Sequence, residues 1–182
     1  GVATRAGEGV AGRPDSPLAA RYRGVDGRRL ARIDVGDGPP VIFVHGEPTC
    51  AFLWRKVIPP VGDAGFRCVA PDRAGFGRSD KPTDIGFYTY ERHVALMATL
   101  LDELDLRKAT IVVHDWGGPI GLRLAVDHAD RIERLGILDT CPFNAHQQMT
   151  DARLMFRYLV PHQEDPPGRL LVPPAPRHPP RP

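Results

Sequence analysis

The sequence predicts an α/β fold, a mostly parallel sheet with helices packed on both of its faces. Three observations carry this. Strand-like and helix-like patterns alternate from residue 41 to residue 139, the order in which parallel strands are joined by crossover helices. The inner strand candidates at 41–44 and 111–113 are continuous apolar runs, Val-Ile-Phe-Val and Ile-Val-Val, as strands covered on both sides require. Four candidate strands also stop on a residue able to do chemistry: His45, Asp72, Asp115 and Asp139. In open α/β sheets the reactive groups gather beyond the carboxyl ends of the strands.

Composition limits what such a fold does. A chain of 182 residues suits one domain with a sizeable core. Its formal net charge is only +2, with the basic residues dispersed, so no nucleic-acid or membrane-surface partner is expected. Cys50, Cys68 and Cys141 form an odd set without metal-ligand spacing; they fit reduced thiols, and no metal is expected. No apolar run approaches the ~20 residues that span a bilayer, and no signal-peptide core is visible at the N-terminus. The expectation is a soluble cytoplasmic protein, and, since the chain opens on Gly1 rather than methionine, a fragment.

In chain order, residues 1–20 lack periodicity and read as a disordered lead. Residues 29–35 alternate polar and apolar over most of their length, as a half-buried edge strand does. A turn at Gly36 to Gly38 precedes the strand at 41–44. A short helix is expected at 52–61, stopped by Pro59-Pro60, then a strand at 67–70. The loop Gly75-Phe76-Gly77-Arg78-Ser79-Asp80 is glycine-rich, yet no helix with phosphate-facing amides follows, so it is not a nucleotide cradle. Val94, Met97, Leu101 and Leu104 predict an amphipathic helix over 89–106. A strand over 135–138 ends at Asp139. The core of the sheet is thus assigned to 21–141, a following region to 142–164 that begins a cap, and a disordered tail to 165–182, where eight of eighteen residues are proline and three arginine.

One stretch organises the rest. The apolar run Ile111-Val112-Val113 ends in His114-Asp115, and Gly117-Gly118 then opens a helix expected over 119–128. Strand, sharp turn and helix make a nucleophile elbow, with the apex side chain standing clear of the backbone. Gly117 is required because a Cβ there would strike a strand. The apex is Asp115, where serine is usual.

These motifs resemble the α/β-hydrolase fold, in its aspartate-nucleophile branch. His45-Gly46-Glu47-Pro48-Thr49 resembles the oxyanion-hole loop of haloalkane dehalogenases. Asp72-Arg73-Ala74-Gly75-Phe76-Gly77-Arg78-Ser79-Asp80-Lys81-Pro82 resembles their next loop, and His114-Asp115-Trp116-Gly117-Gly118 their elbow. The likeness runs from residue 21 to about 164. It implies a cofactor-free hydrolase acting on a small halogenated alkane with water, expected to be a monomer. It also implies roles: Asp115 as nucleophile, the Glu47 and Trp116 backbone amides as oxyanion hole, Trp116 as halide donor, and Asp139 as candidate triad acid. The elbow is shared with epoxide hydrolases, so that reading stays open, as does a non-catalytic remnant of the fold. For Asp139 a helix-entry or loop aspartate is the alternative, and for Trp116 core packing. Trp54 reads as core, His114 as a packing residue, and Asp72 and Ser79 as residues that shape their loop.

The chemistry follows from the residue type. A carboxylate is ionised at neutral pH and attacks an sp³ carbon without a base, leaving an alkyl ester on the enzyme. Ester hydrolysis then needs a histidine after the acid in chain order. His128, His146, His162 and His178 lie downstream of Asp115, and none follows a late strand. The family's second halide donor, a cap tryptophan, has only Met155-Phe156 in its neighbourhood, and Tyr158 is the one tyrosine beyond the elbow. The expectation is a C-terminally truncated or frameshifted sheet, incomplete at its C-terminal end, that alkylates Asp115 and does not turn over.

Overall fold

The computed structural model describes residues 18–140. Six strands form one sheet: β1 (Ala20–Val25), β2 (Arg28–Val35), β3 (Pro40–Val44), β4 (Arg67–Pro71), β5 (Ala109–His114) and β6 (Ile132–Leu138). Their spatial order is β1-β2-β4-β3-β5-β6. The last four run parallel to one another, and β1 and β2 are antiparallel to their neighbours. The sheet is therefore mixed and mostly parallel. Its helices are α1 (Ile58–Asp63), α2 (Tyr90–Glu103) and α3 (Gly117–Asp127).

The helices divide between the faces. Leu100 and Leu101 of α2 and Ile120 and Leu124 of α3 pack on Ile42, Val44, Ile111 and Val113. On the opposite face, Ile58 of α1 and Trp54 pack on Ile33, Val41 and Phe43. Alternate residues of β5 thus serve opposite cores, the period of two that a covered strand must obey. α2 starts where Thr89 accepts a hydrogen bond from the Arg92 amide at 3.1 Å, a cap worth about 1 kcal/mol.

Two expectations are corrected. The strand over 29–35 was expected at an edge, but β2 lies inside the sheet between β1 and β4, and most of it is buried. Its polar positions are buried as pairs: Asp34 bonds Arg32 at 3.1 Å and Arg67 at 2.9 Å, and charges so paired survive burial. The edge belongs to β1, joined to β2 by Asp26-Gly27, both at positive φ (51° and 71°). Asp-Gly between two strands is a hairpin signal.

Pro59-Pro60 also does not stop a helix. A 3₁₀ segment, Ala51–Lys56, ends first, and the prolines occupy the first turn of α1, where an absent N–H loses nothing.

Among the described residues no helix is long and apolar enough to cross a membrane. Cys50 is half-buried and Cys68 buried, both as free thiols. The cap expected at 142–164, the tail at 165–182 and most of the 1–20 lead lie outside the described residues.

Candidate active site

Parallel alignment of β4, β3, β5 and β6 brings four loops to one rim of the sheet. His45, Asp72, Asp115 and Asp139 each stand directly after one of these strands, as the sequence pattern predicts. Asp115 is central because β5 lies between β3 and β6.

The elbow is built by backbone constraint. Asp115 sits at φ 51°, a left-handed conformation that aspartate tolerates better than most residues. Its neighbours hold it there. The Asp115 amide donates to the Asp139 carbonyl at 3.2 Å, and its carbonyl accepts from the Gly118 amide at 2.9 Å and the Thr140 hydroxyl at 2.6 Å. A Cβ on Gly117 would run into the Val44 carbonyl oxygen, and one on Gly46 into the Asp115 side chain. Both glycines are therefore dictated by close approach. The strand that Gly117 must clear is β3.

The carboxylate is half-buried and aimed at the loop after β3. Its Oδ1 accepts a hydrogen bond from the Glu47 amide at 2.8 Å. That loop is pinned by His45, whose Nδ1 donates to the Gly46 carbonyl at 2.8 Å while Nε2 accepts from the Arg73 amide at 3.0 Å. Both ring nitrogens are thus used by a neutral imidazole. Complete burial, aided by the charge of Arg73, holds its pKa well below the usual histidine value.

The loop after β4 braces the rim. Asp72 accepts from the Ala51 amide at 2.7 Å and the Arg78 amide at 2.9 Å. Ser79 donates to the Asp72 carbonyl at 2.5 Å and accepts from the Ala31 amide at 2.8 Å. These contacts make Asp72 and Ser79 loop-shaping residues. Gly77, at φ 51°, faces the Asp72 carboxylate where a Cβ would collide.

One residue that sequence reasoning passed over is Arg73. Its side chain is 2% exposed and lies 3.8 Å from the Glu47 carboxylate. Burial drives its pKa down to about 10, against the pull of Glu47 and Asp115. Glu47 is pushed up by burial and by Asp115, with Arg73 opposing. No pattern flagged Arg73, because an arginine in a loop is ordinarily solvated.

The remaining candidates are placed as follows. Trp116 is half-buried at the N-terminal boundary of α3. Asp139, at φ 39°, touches the elbow through its carbonyl, and its residue is exposed. Trp54 is buried in the core against Phe43, their rings 5.3 Å apart. His114 meets Trp54 edge-on at 6.5 Å. His128 caps the far end of α3, about 16 Å of helix from the elbow. Among the described residues no histidine hydrogen-bonds Asp115, and no cluster of ligands suits a metal ion. His146, His162 and His178 lie outside the described residues.

Known proteins share this arrangement. The family model for the alpha/beta hydrolase fold matches residues 39–165. A haloalkane dehalogenase of Mycobacterium marinum is 50% identical over 126 residues, 65% of this chain and 42% of that protein. Haloalkane dehalogenase 1 of Mycobacterium bovis is 56% identical over 97 residues, 53% of this chain and 32% of that protein. The chain therefore spans less than half the length of these curated relatives. Among solved structures, a haloalkane dehalogenase from Paraglaciecola agarilytica superposes with a TM-score of 0.75 at 36% identity, over 81% of this chain and 51% of that one. An epoxide hydrolase from Vigna radiata gives a TM-score of 0.67 at 29% identity, over 81% and 47%. By its sheet, its elbow and these matches, the chain belongs to the alpha/beta hydrolase fold family, as a homologue of haloalkane dehalogenases.

Proposed function

We propose that this chain carries the alkylation half of a haloalkane dehalogenase reaction. The observation that supports it is the Asp115 carboxylate at the apex of a strained turn, with one oxygen engaged by the Glu47 amide at 2.8 Å. Attack begins with the other oxygen. It displaces halide from an sp³ carbon by an SN2 step, forming an alkyl ester and releasing the halide anion. Trp116, next to the nucleophile, donates its indole N–H to the departing halide, since that group donates and never accepts. In the following step water adds to the ester carbonyl, and the Glu47 and Trp116 amides hold the oxyanion. One such donor is worth about 2.7–4 kcal/mol.

Water must also lose a proton in that step. His45 is neutral with both nitrogens occupied, and His128 caps the far end of α3. Asp139 is the proposed acid, but an acid serves only by orienting a base. None of the described histidines suits that role, and the three downstream of residue 140 follow no strand pattern. With these residues alone the ester persists, and this chain reacts once. The substrate is a small halogenated alkane; no cofactor or metal takes part, and the protein acts as a cytoplasmic monomer.

Incubation with 1,2-dibromoethane tests this. One equivalent of bromide and one bromoethyl group per chain are expected, and sustained bromide release beyond one equivalent refutes the single-reaction reading. The aspartate elbow and the likeness to the Vigna radiata epoxide hydrolase support a second reading, epoxide opening by the same carboxylate. Styrene oxide forming an adduct where dibromoethane forms none would select it. A folded chain inert to both reagents would select a non-catalytic remnant.

A further inference from the structure

We infer that Arg73 is a positioning residue for the nucleophile: the counter-charge of Glu47, and the brace that keeps the Glu47 amide on Asp115. The inference rests on the alkylation reading of Asp115 and extends it to a residue outside the motif roles above.

Three contacts carry it. The Arg73 amide is fixed on Nε2 of His45 at 3.0 Å, tying the loop after β4 to the loop after β3. Its guanidinium lies over the Phe76 ring at 4.7 Å, so the charge cannot swing to solvent without losing that face. Its Nη2 is 3.8 Å from the Glu47 carboxylate, and that nitrogen and Nε have no hydrogen-bond partner. A buried guanidinium with two of its three nitrogens left without hydrogen bonds is expensive. What offsets it is charge, and the two carboxylates that attract it are Glu47 and Asp115.

Other charged groups nearby have separate commitments. Asp72 is paired with Arg78, Arg32 with Asp34, and Arg23 with Glu103. The two imidazoles are kept neutral, His45 by burial and Arg73, and His93 of α2 likewise, down to about 4. The Glu47 amide bonds Asp115 at 2.8 Å, so a displaced Glu47 carries the amide away from the nucleophile.

The test compares Arg73→Leu, Arg73→Lys and Glu47→Gln with the parent protein. Readouts are the rate of bromoethyl adduct formation at pH 7, the NMR shift of the residue 47 amide proton, and a melting curve for folding. Arg73→Leu leaves Glu47 without its counter-charge, so the residue 47 amide proton moves upfield and alkylation slows about tenfold. Arg73→Lys keeps the charge without the planar fork and returns most of both changes. Glu47→Gln removes the charge that Arg73 attracts and moves the same amide proton upfield. Rescue by Arg73→Lys is the signature, because a merely structural defect is not repaired by charge alone. A parent-like rate and amide shift in Arg73→Leu, or no rescue in Arg73→Lys, overturns the proposal. If Arg73→Leu does not fold, the amide shift of Glu47→Gln decides alone. If the parent forms no adduct, the reading of Asp115 has failed, and the amide shifts decide whether Arg73 still braces residue 47.

Discussion

The elbow and the outer strand β6 are neighbours in one sheet and differ in almost every physical respect. At the elbow every polar group of the Asp115 backbone has a partner, and two glycines exist only because carbonyl and carboxylate atoms occupy the space a Cβ would need. Along β6, Leu135, Ile137 and Leu138 are 49%, 54% and 47% exposed. β5 is its one partner strand among the described residues. The difference separates the two halves of the proposed reaction. The groups proposed for alkylation sit in the over-determined centre, and the proposed acid, Asp139, sits at the end of the exposed strand. An exposed strand at the rim is thus compatible with a fully formed elbow.

Changes at the centre should be severe and changes on β6 slight. Gly117→Ala drives a methyl group into the Val44 carbonyl, part of a strand buried on both faces. Destabilisation of about 3 kcal/mol or more is expected, the upper range for overpacking, read as a lower urea midpoint. A wild-type midpoint would mean that the elbow yields easily and the contrast with β6 is false.

Acid should also act on the centre first. His93 is buried and neutral with its pKa lowered to about 4, by burial and then by Arg73, from an ordinary 6.5. A depressed histidine is protonated in the unfolded chain before the folded one. Its contribution is therefore intact above about pH 6.5 and lost as pH falls toward 4, up to roughly 3 kcal/mol. His45 shifts in the same direction. Melting curves across that window should show the loss, and His93→Leu should flatten it. A parent protein equally stable at pH 4.5 and 7 would contradict this placement.

The smallest effect is expected on β6. Ile137→Ser and Leu135→Ser should each change stability by no more than about 0.5 kcal/mol, as exposed substitutions do, and should reduce self-association by removing exposed apolar surface. A large loss of stability would mean that β6 is covered in solution.

Much of the centre was legible in the sequence. Apolar runs ending in His45, Asp115 and Asp139 announced strands and the residues that follow them, and Gly117 announced a close approach. β2 was misread because buried Asp34 and Arg32 look, as letters, like a solvated face; only their pairing with each other and Arg67 reveals burial. The helix expected over 52–61 splits before Ile58 instead, because Pro59-Pro60 reads equally as a stop or a first turn. Arg73 was invisible for a related reason. Its importance lies in what surrounds it, and those neighbours come from three separate loops.

If Asp115 takes over the halogen-bearing carbon, its side chain carries the alkyl group. Peptide mapping by tandem mass spectrometry, after incubation with 1,2-dibromoethane, locates that group, with Asp115→Asn as control. A single bromoethyl ester on Asp115 is expected, absent in Asp115→Asn. Bromide release with Asp115 unmodified, or an adduct confined to another nucleophile such as Cys50, would contradict it.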